Sequence, residues 1–223
     1  MLRSVKTLTA LASELLARLP TMTEEERRVG LEIYRQLAQG EPVLRSQLAV
    51  ALEVPSHTVD ELLESPNLKS LTYADKDGQI IGFGGLAVRE MPHRFKIDGR
   101  TLYAWCADSL FIPVILGAEA EVESPAPGSA VRISLRVAPD GVERIQPRSA
   151  VMSFLLPSAE TFQADALKAM AAFCHFIFFF PDRHSATEWT KTHPETTVIS
   201  VSDAFELGRR MVAARWSPAL IKG

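Results

Sequence analysis

Cysteine is scarce in this chain: Cys106 and Cys174 are the only two in 223 residues. That is too few for a disulfide framework, and in a reducing compartment both would stay as thiols. Long apolar runs are missing as well. No stretch approaches the roughly 18 to 20 residues that a bilayer-spanning helix needs, and the opening MLRSVKTLTALASELLARLP is an amphipathic pattern rather than a signal peptide. The expected location is the cytoplasm, with no membrane partner. Neither sign of charge dominates, since 24 basic against 27 acidic residues leave a formal charge of -3. The chain therefore lacks the basic face that nucleic acid or anionic lipid requires. Internal repeats and low-complexity tracts are also absent. What is there is an ordinary globular composition, 47% hydrophobic and 23% charged, in a length that suits one substantial domain with a smaller module attached.

Val5, Leu8, Leu11, Leu15 and Leu19 recur at helical spacing until Pro20, which predicts a first helix. Thr23-Glu24-Glu25-Glu26 has the form of a capping box, after which Val29, Ile33 and Leu37 carry a second helix to Gly40. Arg45 to Glu53 and Ser56 to Glu64, parted by Val54-Pro55, have the spacing of a helix-turn-helix. Alternation around Asp77-Gly78 in LTYADKDGQIIGFGGLAV predicts a hairpin behind them, so residues 1–88 read as a winged-helix-like module. Its second short helix carries Asp60, Glu61 and Glu64 and no Lys or Arg, which would repel phosphates. The module is expected to be a scaffold or lid and to bind no DNA.

Residues 89–223 change character. HRFKI and RTLYAW around Asp98-Gly99, and VRISLRV and VERIQP around Asp140-Gly141, predict two more hairpins, with AVMSFLLP as a further strand. Pro125, Pro127 and Gly128 predict a loop. Thr161 to Ala172 reads as a helix, FCHFIFFF as a buried strand, and Ser185-x-x-Glu188 as a capped short helix. TTVISV and Ser202 to Trp216 complete the pattern as a strand and a closing helix. Helices and hairpins are segregated, which argues an α+β fold with a mostly antiparallel sheet and flanking helices.

Two thiolates brought together select soft, thiophilic metals, mercury above all. The plain alternative is burial, because free cysteine often serves as a small hydrophobe. Cys106 lies between Trp105 and Ala107, and Cys174 between Phe173 and His175. In such apolar company an unassisted thiol has a raised pKa and is a poor nucleophile. Zinc is disfavoured, since the C-x-x-C spacing is lacking and His175, next to Cys174 on a strand, would point to the opposite face. His184 and His193 could join such a site only through tertiary proximity. The local signatures of papain-like hydrolases are absent.

LYAWCADSLFIPVILG, residues 102–117, resembles the first active-site segment of organomercurial (alkylmercury) lyases: Trp-Cys-Ala, a nearby Asp, an apolar run, a Pro and a Gly. FCHFIFFF resembles that family's second cysteine strand, and ATEWTKTHPETTVISVSDAFELG its C-terminal segment; YADKDGQIIGFGGLAVRE is similar to its wing and linker. The resemblance covers nearly the whole chain in the same order. It implies cleavage of a carbon–mercury bond without any cofactor, giving a hydrocarbon and a protein-bound mercuric ion. It further implies that Cys106 and Cys174 are the two sulfurs acting on organomercurial small molecules. Trp105, Phe111, Phe176 and Phe178 would then form an apolar pocket for the organic group. Handover of the ion to small thiols and to a mercuric reductase is expected on the same ground.

The chain departs from the pattern at one point. In most of the family a carboxylate stands three residues after the first cysteine, whereas here that position holds Ser109, and Asp108 stands two after. On a helix, residues three apart share a face and residues two apart lie about 200° round, which favours Ser109. One residue fewer separates Cys106 from Pro113 than in the family, so a local bend could return Asp108 to the site. A serine hydroxyl is a poor proton donor, and a serine site is expected to turn over more slowly. Two rival functions are a mercury or copper carrier that binds without cleaving, and a winged-helix regulator responding to soft metals. Charge argues against the regulator, because Lys76 in its wing is flanked by Asp75 and Asp77.

Overall fold

The computed structural model describes residues 21–155 and 175–220, together with Ala10, Ser13 and Ala17. The rest of the first expected helix, the helix expected over 161–172, and Cys174 lie outside the described residues. Thr23 opens helix α1, Glu24–Leu37, through a reciprocal cap: its hydroxyl accepts from the Glu26 amide at 3.1 Å, and Glu26 Oε2 accepts from the Thr23 amide at 2.8 Å. Two otherwise orphaned N–H groups are satisfied together. The inward stripe of α1 is Val29, Ile33, Tyr34 and Leu37. Helices α2, Arg45–Leu52, and α3, Ser56–Leu63, follow, and the chain breaks between them where Glu53 turns left-handed and Pro55 follows. A single turn, α4 (Pro66–Lys69), leads into the sheet.

Eight strands form an antiparallel sheet: β1 Thr72–Ala74, β2 Ile80–Phe83, β3 Leu86–Ala87, β4 His93–Ile97, β5 Arg100–Ala104, β6 Ala120–Pro125, β7 Arg132–Ala138 and β8 Gly141–Gln146. Their order is β1-β2-β3-β5-β4-β6-β7-β8, so the sheet runs unbroken across position 88. The three hairpins stand where Asp-Gly pairs predict them. At Asp98-Gly99 both residues have positive φ, 49° and 76°, as a tight two-residue turn between right-twisted strands demands. The loop expected at Pro127 and Gly128 is a turn over 126–131, and strand β6, which the sequence reading did not foresee, runs up to it. The strand bonds β4 on one side and β7 on the other, with Ala120, Val122 and Ser124 inward. Pro125 is tolerated because it stands at the strand's end, where the ladder stops.

Between β5 and β6 the chain makes a 3-10 turn, Ala107–Leu110, and a short helix α5, Ile112–Leu116. A smaller antiparallel sheet, in the order β10-β9-β11, is built from β9 Val151–Leu155, β10 Phe179–Phe180 and β11 Thr196–Ser200. The buried strand expected over FCHFIFFF is thus shorter, with His175 and Phe176 in a turn. Helix α6, Arg183–Thr190, starts earlier than Ser185, because Asp182 is the cap: its Oδ1 accepts from the Ser185 amide at 2.7 Å. The closing helix α7, Val201–Leu220, packs against α1, α5 and both sheets. Trp216 of α7 meets Tyr34 and Phe83 edge-on at 5.7 and 6.3 Å, which joins the N-terminal helices to the sheet through one aromatic cluster. A continuous core runs from Met22 to Trp216. No helix among the described residues is long and apolar enough to cross a membrane.

Candidate functional site

Strand β5 sits inside the large sheet, paired with β3 on one side and β4 on the other. Tyr73, Gly82, Ala87 and Tyr103 form one cross-strand row. Trp105 continues that row: its indole stacks on Tyr73 at 4.3 Å between centroids and covers Gly82, where any side chain would collide with it. The strand ends at Ala104, and the chain bends through Trp105 and Cys106. Cys106 is fully buried, has an extended backbone, and stands immediately before the 3-10 turn.

Ser109 lies inside the turn, three residues after Cys106, and is fully buried, and among the described residues its Oγ has no hydrogen-bond partner. Asp108 is half-buried and lies against Gly85, where an added Cβ would stand 2.5 Å from Oδ2. Gly85 is also at φ +97°, so both its backbone and its neighbour require glycine. Beside it, the Tyr34 hydroxyl donates to the Gly84 carbonyl at 2.8 Å. Burial raises the Tyr34 pKa far above the usual phenol range; Arg215 opposes this and the Asp108 charge adds to it.

The four aromatic residues proposed around the organic group occupy separate surroundings. Trp105 faces the β1–β2 hairpin, and Phe111 fills the space left by Gly208 on α7. Phe176 meets His193 edge-on at 5.9 Å, while Phe178 meets Trp189 at 5.7 Å. Ile177, buried between them in sequence, turns the other way, and its carbonyl accepts from the Ala107 amide at 3.3 Å. That bond ties the segment after Cys174 to the residue after Cys106. His175 and His184 are exposed, and His193 is stacked flat on Trp189 at 3.8 Å. Among the described residues no group of three or more His, Cys, Asp or Glu side chains could hold a metal ion.

Sequence reasoning missed a buried pair on the large sheet. His93 is 1% exposed, and its Nδ1 lies 2.9 Å from the Oγ of fully buried Ser124. Burial pushes the His93 pKa down to about 4, so the ring is neutral at physiological pH. The signal was present in HRFKI, whose alternation sends His93 inward with Phe95 and Ile97.

The family model for alkylmercury lyase matches residues 86–213, a span that contains both cysteines. The alkylmercury lyase of Staphylococcus epidermidis is 34% identical over 208 residues, covering 90% of this chain and 91% of that protein. The alkylmercury lyase of Streptomyces lividans is 37% identical over 179 residues, covering 80% and 79% respectively. Among solved structures, the mercury-bound form of MerB2 superposes with a TM-score of 0.73 at 22% identity, covering 93% of this chain and 98% of that one, a likeness of fold. With a matching family model over more than half its length and relatives of this identity along most of it, the chain belongs to the alkylmercury lyase family.

Proposed function

We infer that this protein cleaves the carbon–mercury bond of organomercurials, releasing a hydrocarbon and retaining the mercuric ion. In this reading the Cys106 thiol loses its proton and its sulfur captures the organomercury cation. The Cys174 sulfur then binds the same mercury and raises the electron density on its carbon. The carbon–mercury electron pair takes up a proton and becomes the new carbon–hydrogen bond. In sum, one organomercury cation and two thiols give one hydrocarbon, one mercuric dithiolate and one proton. The observation that carries this reading is the buried Cys106 heading the 3-10 turn, with Ala107 bonded to Ile177. Ile177 is three positions from Cys174, a covalent reach of roughly 10 Å at most.

Ser109 and Asp108 are the candidates for proton delivery. The buried hydroxyl without a partner among the described residues supports Ser109, acting as a relay from a water or from the second thiol. Trp105, Phe111, Phe176 and Phe178 are read as the shell that holds the site's walls in place. Residues 1–88 are read as a winged-helix-like scaffold or lid rather than a DNA reader. In support, Asp60 is engaged with Arg45 at 2.9 Å and Glu64 with Lys69 at 2.6 Å, which leaves an acidic helix without a phosphate-binding face. Small thiols, and a mercuric reductase, are the proposed acceptors of the ion, in the reducing cytoplasm where cysteines are kept as thiols.

The test is hydrocarbon release from phenylmercury and methylmercury in excess thiol. Wild type is expected to release benzene and methane, and Cys106→Ser and Cys174→Ser to release neither. Stoichiometric mercury uptake without hydrocarbon would instead identify a carrier. Ser109→Asp is expected to accelerate the reaction, because burial would keep the new carboxyl protonated and able to donate. If that variant gains nothing and Asp108→Ala abolishes release, Asp108 holds the role.

A further inference from the structure

We propose that Tyr34 is a positioning residue for the lyase reaction: through the Gly84-Gly85 turn it seats the Asp108 side chain, and so holds in place the 3-10 turn that follows Cys106. This deepens the lyase reading above, on which it rests. The Gly84-Gly85 turn joins β2 to β3, with Phe83 paired to Leu86 and both glycines at positive φ, 49° and 97°. Two side chains from separate elements press on it. The Tyr34 hydroxyl of α1 donates to the Gly84 carbonyl at 2.8 Å, and a Cβ on Gly84 would collide with that same hydroxyl. Asp108, from within the 3-10 turn, lies against Gly85.

The hydroxyl is itself well anchored. Tyr34 is 3% exposed, and its ring meets Phe83 edge-on at 5.1 Å and Trp216 at 5.7 Å, which leaves the phenol little room to swing. Burial above all raises its pKa, against Arg215 and with the Asp108 charge, so the group remains a donor at physiological pH. Helix α1 also packs on α5, which comes directly after the 3-10 turn. It therefore bears on this segment at two points, at Asp108 through the glycine turn and at α5 by contact. Ser109 and Asp108, the two candidates for proton delivery, both ride on the segment. A displacement of about 1 Å in such a group slows a reaction by as much as about 100-fold.

Tyr34→Phe removes the hydroxyl and keeps the ring. Hydrogen exchange at the Ala107 and Phe111 amides, which donate to the Ile177 and Asp108 carbonyls, reads the 3-10 turn without requiring turnover. Both amides are expected to exchange about fivefold faster in Tyr34→Phe, the worth of one hydrogen bond, while those of β6 and β7 keep their wild-type rates. The kcat for benzene release from phenylmercury is expected to fall about tenfold with KM unchanged, the mark of a group misplaced after binding. Exchange accelerated equally throughout the protein would make Tyr34 a stabilising residue only and overturn the proposal. Unchanged rates at Ala107 and Phe111, or an unchanged kcat in folded Tyr34→Phe, overturn it as well. Asp108→Ala probes the same contact from its other end, so a Tyr34→Phe protein that fails to fold leaves the question decidable. There the Gly84 amide, which donates to the Leu71 carbonyl at 2.9 Å, should exchange faster, and an unchanged rate counts against the proposal. Absence of benzene release from wild type would sink the lyase reading separately, because hydrogen exchange uses no organomercurial.

Discussion

Glu26 and Ser109 are both buried polar side chains, and their surroundings differ in kind. Glu26, 5% exposed, accepts from the Thr23 amide, from Ser65 Oγ at 2.6 Å and from Asn67 Nδ2 at 3.0 Å, so its carboxylate is fully engaged. Ser109, 0% exposed, carries a hydroxyl with no partner among the described residues. The first site ties α1 to the turn before α4 and behaves as a structural clasp. The second keeps an unmet hydrogen bond three residues from a buried thiol, and for it we propose a proton relay. On that proposal, stability and chemistry fall to different buried polar groups.

Each side of this contrast can be broken separately. The largest expected effect is on rate: Ser109→Ala should lower hydrocarbon release about 100-fold, the ordinary worth of a positioned proton-transfer group. Single-turnover assays with phenylmercury measure it, and undiminished release would make the hydroxyl incidental. Glu26→Gln should leave the rate per folded molecule unchanged and cost about 2 kcal/mol, or roughly 4–8 °C in thermal midpoint.

Acid titration sharpens the same point. Burial pushes the Glu26 carboxyl up, but hydrogen bonds from Ser65, Thr23 and Asn67, together with the Arg215 charge, more than offset it and hold the pKa below the usual glutamate range. The folded value lies below the unfolded one near 4.3, so the network's contribution is present above about pH 4.3 and lost as pH falls through the lowered value. Denaturant melts from pH 7 to 3 should therefore decline less steeply in Glu26→Gln than in wild type. Next in size, Gly85→Ala should cost about 1–2 kcal/mol through its left-handed backbone and its contact with Asp108. Asp108→Gly in the same background should recover part of that loss, as a double-mutant cycle would measure. The smallest effect is the most diagnostic: Ser109→Ala should raise stability by up to about 1 kcal/mol, because it removes an unsatisfied buried hydroxyl. A loss of stability instead would place Ser109 beside Glu26 as a clasp.

Much of the architecture was legible. The Thr23 cap, the two short helices around Pro55 and three Asp-Gly hairpins all stand where their residues predict. Strand β6 was missed because its outward Glu121 and Glu123 and terminal Pro125 disguise an inward row of Ala120, Val122 and Ser124. The cap of α6 was misplaced by three residues, because Asp182 and Ser185 are both good caps and only the chain's entry angle selects Asp182. His93 went unnoticed for a similar reason, since a lone histidine in a strand says nothing about the serine 31 positions away that meets it.

Turns, caps and strand periods arise from interactions within a few residues, so residue order was enough to establish the hairpins, the helix starts and the greasy company of Cys106. The surroundings of that thiol depended on the pairing of β5 with its neighbours and on the bond from the Ala107 amide to the Ile177 carbonyl. Those contacts join segments far apart in the chain, and their energy exists only once both sheets are packed.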